Sequence, residues 1–479
     1  MTRRLVTAVA LYTGFYLVGA CIIVGLLSLP WMQVRYGGDG DLYGFLAACG
    51  ALYVAWAMVP RPAKWMTPGL ELTRKAQPRL WTVLERIAKE AAYKLPEHVY
   101  LLNDVQAFAS SRPRWFGLKR EPVIGLGLPL FSFLSERELR AVVAHEMGHH
   151  VGGDVRLGPW LYRTSNAINA ALTRLDGSNA FLNLPFYAYG RLYVRIAAPH
   201  SRQQEVHADE LAARLAGGRF LGSALLAVEQ HSILWNGFFY DVVVPTLNEG
   251  FRPGLLEGYE RYVKAVDRDE HSKSFRKMVD RPADREDSHP PLRERLKPLS
   301  TPCEPHDPSA TSAPALLSQL AQCERDLIAL NLNKPETIDE LLPLAWDEWG
   351  ETVLPRIWRR TLDSRLRALQ QVSLSSIPDA LQDDGLWDRL RDGVNIFSAE
   401  ARRQQSRLLI AYWFAWSLHE AGYRVISGPG DEPTLQRGES RIMPFRWLRD
   451  LESGKRTRAE WDVLCAEIGE SAGLQQTPA

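Results

Sequence analysis

The sequence predicts an α+β, mostly helical fold. It has an N-terminal hairpin of two transmembrane helices, a middle domain in which a small sheet packs on one helix, and a helical C-terminal region. Three observations predict this. Residues 5–29 and 42–59 carry no charge, and a bilayer span needs roughly 20 apolar residues. Short β-patterned runs at 99–102, 106–110 and 123–128 stand immediately before a helical pattern that contains His-Glu-x-x-His. Beyond the Pro/Ser/Thr-rich stretch 301–314, Leu, Trp and Arg recur with helical spacing from 316 to 422.

The two apolar stretches are joined by the polar run Arg35-Tyr36-Gly37-Gly38-Asp39-Gly40-Asp41, which predicts a hairpin rather than two unrelated spans. A pair of buried core helices is the competing reading. Arg3 and Arg4 precede the first stretch, Arg61, Lys64, Arg74 and Lys75 follow the second, and the connection has only Arg35. The positive-inside rule then places both ends, and the middle domain, in the cytoplasm. An exported, cleaved N-terminus competes, since Val18-Gly19-Ala20-Cys21 is lipoprotein-like. The residues after Cys21 stay apolar too long for that.

The next residues read as an amphipathic helix over 78–95, then the three extended pieces, the last ending in a turn. Ser135-Glu136-Arg137-Glu138 is a capping-box pattern with Ser135 at the N-cap and Glu138 three residues in. Leu139, Val142 and Val143 supply the apolar face of the helix that follows. Residues 157–198 are apolar and aromatic but broken by Arg163, Arg174, Asp176, Arg191 and Arg195. They predict two amphipathic helices lying on the membrane or lidding a site. A helical run covers 201–212, and helical segments continue to about 279. Short strands are expected near Val425 and at 441–443, and a last helix over 459–468. The expected domains are 1–60, 61–300, a linker at 301–315, 316–425, and a small segment at 426–479.

Composition narrows the function classes. The 479 residues have a net charge of +1, which gives no sign of a nucleic-acid partner. Cys21, Cys49, Cys303, Cys323 and Cys465 form no Cys-x-x-Cys, which argues against a cysteine zinc site or a disulfide scaffold.

The chemistry centres on His145-Glu146-Met147-Gly148-His149. On a helix, His145 and His149 project from one face a turn apart, a spacing at which both imidazoles can bind one zinc ion. Glu146 lies beside them as a candidate general base for water activated by that metal. Two surface histidines on a helix would be the bland alternative, so a third ligand is needed. The metzincin continuation fails, because Gly152 fits its glycine but the next ligand position is Val155. On the helical run near 205, Glu205 and Asp209 are one turn apart. Glu205 is the candidate third ligand, and Asp209 is placed to accept a hydrogen bond from a ligand histidine. His150 and His207 are rivals by proximity, although His207 is rotated roughly 200° from Glu205 on the helix.

These motifs, in order with Gln106-Ala107-Phe108 and with His289-Pro290 followed by Arg295, resemble the membrane-anchored zinc peptidases of the HtpX-like and CAAX-prenyl-protease type, which are gluzincins. The resemblance covers residues 78–299. It implies that His145, His149 and Glu205 hold one zinc ion, that Glu146 is the general base, and that His289 stands near the oxyanion. It further implies that Asp209 and Arg295 support the ligands and that Gln106, Ala107 and Phe108 bind substrate. Many members have Asn where this chain has Gln106. The extended piece at Ala107-Phe108-Ala109 can add a substrate polypeptide as a further strand, which suits quality control of unfolded chains. The implied location is the bacterial inner membrane, with the catalytic domain on the cytoplasmic side. The alternatives are a specific processing protease of the CAAX type and a catalytically idle membrane scaffold. The region after the linker is a candidate protein-interaction module.

Overall fold

The computed structural model describes residues 2–36, 41–59, 65–114, 119–151, 158–175, 180–266, 290–299, 313–332, 334–365, 372–383 and 399–472, together with 369, 385 and 390. His289, Cys303 and most of the expected linker lie outside the described residues. The chain forms two compact units. One comprises Met1–Gln230 with Lys273–Ser318, and the other His231–Ser272 with Gln319–Ala479.

In the first unit, α1 (Thr2–Tyr36) and α2 (Asp41–Met58) form the expected hairpin. Val6–Tyr36 is long and apolar enough to cross a membrane, whereas Leu42–Met58 is a shorter apolar helix. Only 17% of the apolar window of α1 is buried, and Leu17, Val24, Trp31, Tyr43 and Phe45 are exposed. A core helix of a water-soluble domain would hide these side chains.

The expected pair of helices at 157–198 is present as α6 (Gly158–Leu175) and the first part of α7 (Ala180–Ala216). Both pack on the hairpin. Ile168, Ala171, Leu175, Phe186 and Tyr193 share a core with Leu11, Phe15, Val54 and Met58. Arg174 Nη1 donates to the carbonyls of Ala57 at 2.7 Å and Val59 at 3.0 Å, a cation against the C-terminal end of α2. Tyr189 donates to the Leu11 carbonyl at 2.5 Å. The helical run around Glu205 is therefore no separate helix. It is the second part of α7, which continues through Pro185 and Pro199 over about 55 Å at the usual rise.

The sheet of this unit has the order β1-β2-β4-β3, made from β1 (Leu70–Glu71), β2 (His98–Leu102), β3 (Ala107–Arg114) and β4 (Lys119–Gly127). β2 and β4 are parallel, and β3 and β4 antiparallel. Every residue of β4 from Glu121 to Gly127 is buried, as befits a central strand. Among the described residues β3 has no partner on its outer side. Before and after the sheet lie α3 (Pro78–Glu90), α4 (Leu130–Phe133) and α5 (Glu136–Val151). The first of these stops short of the expected residue 95, at a chain reversal where Ala92 adopts a positive φ of 55°.

In the second unit, α8 (Gly218–Phe238) ends, and α9 (Val244–Asn248) and α10 (Leu255–Ala265) follow. A parallel pair joins β5 (Phe251–Pro253) to β6 (Leu342–Leu344), and β7 (Arg424–Val425), β8 (Leu435–Arg437) and β9 (Ser440–Ile442) form an antiparallel meander. The expected boundary at 425/426 cuts through one hydrophobic core. Trp358, Phe414 and Leu418 from the helical part pack with Leu435, Ile442, Leu448 and Trp461 from the final segment. Burying those strands and helices needs the apolar face of the helices before them, so the two stretches form one unit.

Candidate metal centre

The local chain sets up α5 first. Ser135 N–H and Oγ–H both donate to Glu138 Oε2 at 2.8 Å, and Glu138 N–H donates back to Ser135 Oγ at 3.3 Å. This is the reciprocal capping box that the sequence predicted. The Ser223 hydroxyl, from α8, donates to the other Glu138 oxygen at 2.5 Å, a contact that no local pattern announces.

Gly148 then decides how near α7 can come. A Cβ on it would lie 2.8 Å from the Cα of Ala208, a backbone atom that cannot swing aside. Ala208 and Ala212 are fully buried, so the two helices meet at small residues. Sequence reasoning missed this contact, although a glycine inside a helical pattern is the usual sign of close packing. Gly148→Ala is expected to destabilise the domain by about 1–3 kcal/mol and to weaken metal binding at the same time. Thermal melting with zinc titration measures both, and an unshifted melt with unchanged affinity would refute the contact.

The close approach brings the three sequence-predicted ligands together. His145, His149 and Glu205 each offer a ligand atom within 4.8 Å of the others. The His145 and His149 Nε2 atoms are 3.2 Å apart. Glu205 Oε2 is 3.5 Å from the first and Oε1 3.6 Å from the second. A tetrahedral ion with bonds of 2.0–2.1 Å separates its ligand atoms by about 3.3 Å. The two Glu205 oxygens thus each face a different imidazole, at spacings a zinc-sized ion can span, and two imidazole nitrogens with a carboxylate are a donor set that such an ion accepts. The rival histidines are elsewhere. His207 turns to Glu210 at 3.6 Å, and His150 bonds the Ala109 carbonyl at 2.7 Å.

Around the triad, Asp209 Oδ1 lies 2.9 Å from His145 Nδ1. That hydrogen bond puts the proton on Nδ1 and leaves the Nε2 lone pair facing the triangle. Arg295 grips Asp209 with two bonds, Nε to Oδ2 at 2.9 Å and Nη2 to Oδ1 at 2.7 Å. Its Nη1 is 3.4 Å from Glu205 Oε2. Burial alone would raise the Asp209 pKa, but the His145 and Arg295 hydrogen bonds hold it below the usual value. Burial works the other way on Arg295, and the Asp209, Glu205 and Glu146 carboxylates outweigh it and raise its pKa. Buried charges survive when paired in this way. Asp209→Asn is expected to keep the shape and to cost about 10–100-fold in zinc affinity, read by competition with a chromophoric chelator. Glu146 follows His145 on α5, is partly exposed, and is not one of the three grouped donors.

The expected substrate-binding residues lie on and beside β3. The Gln106 carbonyl accepts from Gly127 N–H at 2.8 Å, and the Gln106 side chain is exposed. Phe108 packs with Trp65 on Tyr100, Leu102 and Val123, its ring over Gly125, so its side chain belongs to the sheet. Ala107 starts the strand.

A capped helix bearing two imidazoles, a carboxylate from a second helix and a neighbouring edge strand define a candidate metal centre beside a strand edge. The sequence comparisons specify which kind. The model of peptidase family M48 matches residues 74–302. Among curated proteins, the chain is 27% identical over 309 residues to the protease HtpX of Pseudomonas fluorescens (strain Pf0-1), covering 58% of this chain and 93% of that protein. It is 30% identical over 244 residues to the protease HtpX of Acinetobacter baylyi, covering 44% of this chain and 79% of that one. No solved structure matches. The chain belongs to peptidase family M48.

Proposed function

We propose that this protein is a membrane-anchored, zinc-dependent endopeptidase that degrades extended polypeptide. His145, His149 and Glu205 would hold the zinc ion, and the observation that carries the reading is that each offers a ligand atom within 4.8 Å of the others. Zinc bound there acidifies water and polarises a peptide carbonyl. Glu146 takes the proton of the attacking water and passes it to the leaving amine. Asp209 orients His145, and Arg295 offsets the negative charge of Asp209 and Glu205. His289, which lies outside the described residues, is assigned to the oxyanion by the family resemblance alone.

The exposed apolar surface of α1 and α2 supports the anchor, with Trp31, Tyr36 and Tyr43 exposed at the hairpin end where interfacial aromatics belong. The basic residues flanking the hairpin support a cytoplasmic catalytic domain, and the bacterial relatives support the inner membrane. The open edge of β3 supports binding through backbone pairing, which reads shape rather than sequence and suits quality control.

The test is turnover of unfolded casein by the full-length protein in detergent. A strong chelator should abolish it, and stoichiometric zinc should restore it. Cleavage that survives complete metal removal would overturn the proposal.

A further inference from the structure

The edge strand β3 offers backbone groups to a substrate, and its pairing with β4 settles which ones. Gly127 N–H donates to the Gln106 carbonyl, and the register continues Ala107↔Leu126, Phe108↔Gly125, Ala109↔Ile124. Backbone groups in an antiparallel strand alternate in direction. Gln106, Phe108 and Ser110 therefore turn toward β4, and Ala107, Ala109, Ser111 and Pro113 turn to the open side. The other edge of β4 agrees, since the Pro122 carbonyl accepts from Glu97 at 2.9 Å on the β2 side.

Two of these four outward positions are closed. Pro113 has no N–H to give. The Ala109 carbonyl already accepts from His150 Nε2 at 2.7 Å. The carbonyl carries no proton, so the imidazole is the donor. His150 is the residue after His149, in the last turn of α5. It is exposed, and its ring rests 5.8 Å from that of Tyr93, tilted by 49°. An exposed side chain at a helix end can leave its acceptor, whereas a proline cannot. Bare strand edges recruit other strands indiscriminately, and natural sheets blunt them with prolines and covering groups.

We infer that His150 is a removable cap on the substrate edge and a specificity-determining residue. At Ala107 both backbone groups turn outward, so an extended chain can form its two-bond pairing there. At Ala109 its N–H must displace the imidazole. Polypeptide is thus held first at Ala107, and long continuous strand addition along β3 is penalised. This rests on the peptidase reading above, because it takes β3 to be where substrate binds.

The experiment measures binding, not turnover. Full-length, zinc-loaded Glu146→Gln protein is titrated with a fluorescein-labelled unstructured nonapeptide and with its set of single backbone N-methyl analogues. Adding His150→Ala should tighten the parent peptide about fivefold, the effect of one exposed hydrogen bond. One N-methyl position should cancel that gain in His150→Ala and be neutral when His150 is present. His150→Gln, whose amide can donate to the same carbonyl, should return binding to the parent value. If His150 is only a brace between α5 and β3, His150→Ala binds equally or more weakly, and the inference fails. If the peptide binds none of the variants, the edge-strand reading itself fails, a result distinct from binding that is merely insensitive to His150.

Discussion

Glu146→Gln is expected to keep its zinc and lose its proteolysis. The amide has nearly the shape of the carboxylate but cannot take a proton from water, and positioned acid–base groups contribute about 10²–10⁴-fold. Glu146 contributes no atom to the His145, His149, Glu205 triangle, so the ion has no reason to leave. The measurement pairs casein turnover with zinc content by elemental analysis. Residual cleavage near the parent rate would refute the assigned base. Loss of both zinc and activity would show that Glu146 supports the metal.

Glu205→Ala is expected to release the metal. It removes one of three donors and leaves two imidazoles on a single helical turn. It also takes a carboxylate from beside Arg295, 3.4 Å away, so the guanidinium loses one of the negative charges that offset its burial. Supporting partners alone are worth about 10–100-fold in affinity, and a direct ligand exceeds that. Zinc per chain after dialysis should fall far below one, while circular dichroism of the helices stays near that of the parent. Full occupancy would exclude Glu205 as a ligand.

Both expectations began as readings of short motifs, and the structure shows why those were legible. A His-Glu-x-x-His repeat and a Ser-x-x-Glu box act within one or two turns, where helical geometry alone fixes which side chains meet. The bonds between Ser135 and Glu138 and the neighbouring, edge-on His145 and His149 rings follow from spacing. The helix–helix contact at Gly148 and Ala208 did not show in the same way. It depends on two segments separated by α6, and no periodicity within either one reports their distance. The continuity of α7 was equally hidden. Its two prolines and scattered arginines resemble breaks, yet it runs unbroken from Ala180 to Ala216 and packs on α5, α6 and α1.

What the sequence determined by itself is local and chemical. It specified the donor types, the capped helix that presents two of them, the apolar N-terminal hairpin, and the strand-forming runs before the site. The tertiary structure alone decided that Glu205 reaches the two histidines and that β3 is the outer strand. It also decided that the C-terminal stretches share a core. The physical reason is that hydrogen-bonded turns are set by neighbours along the chain, whereas sheet order and the approach of two helices are set by which surfaces fit when distant segments pack together.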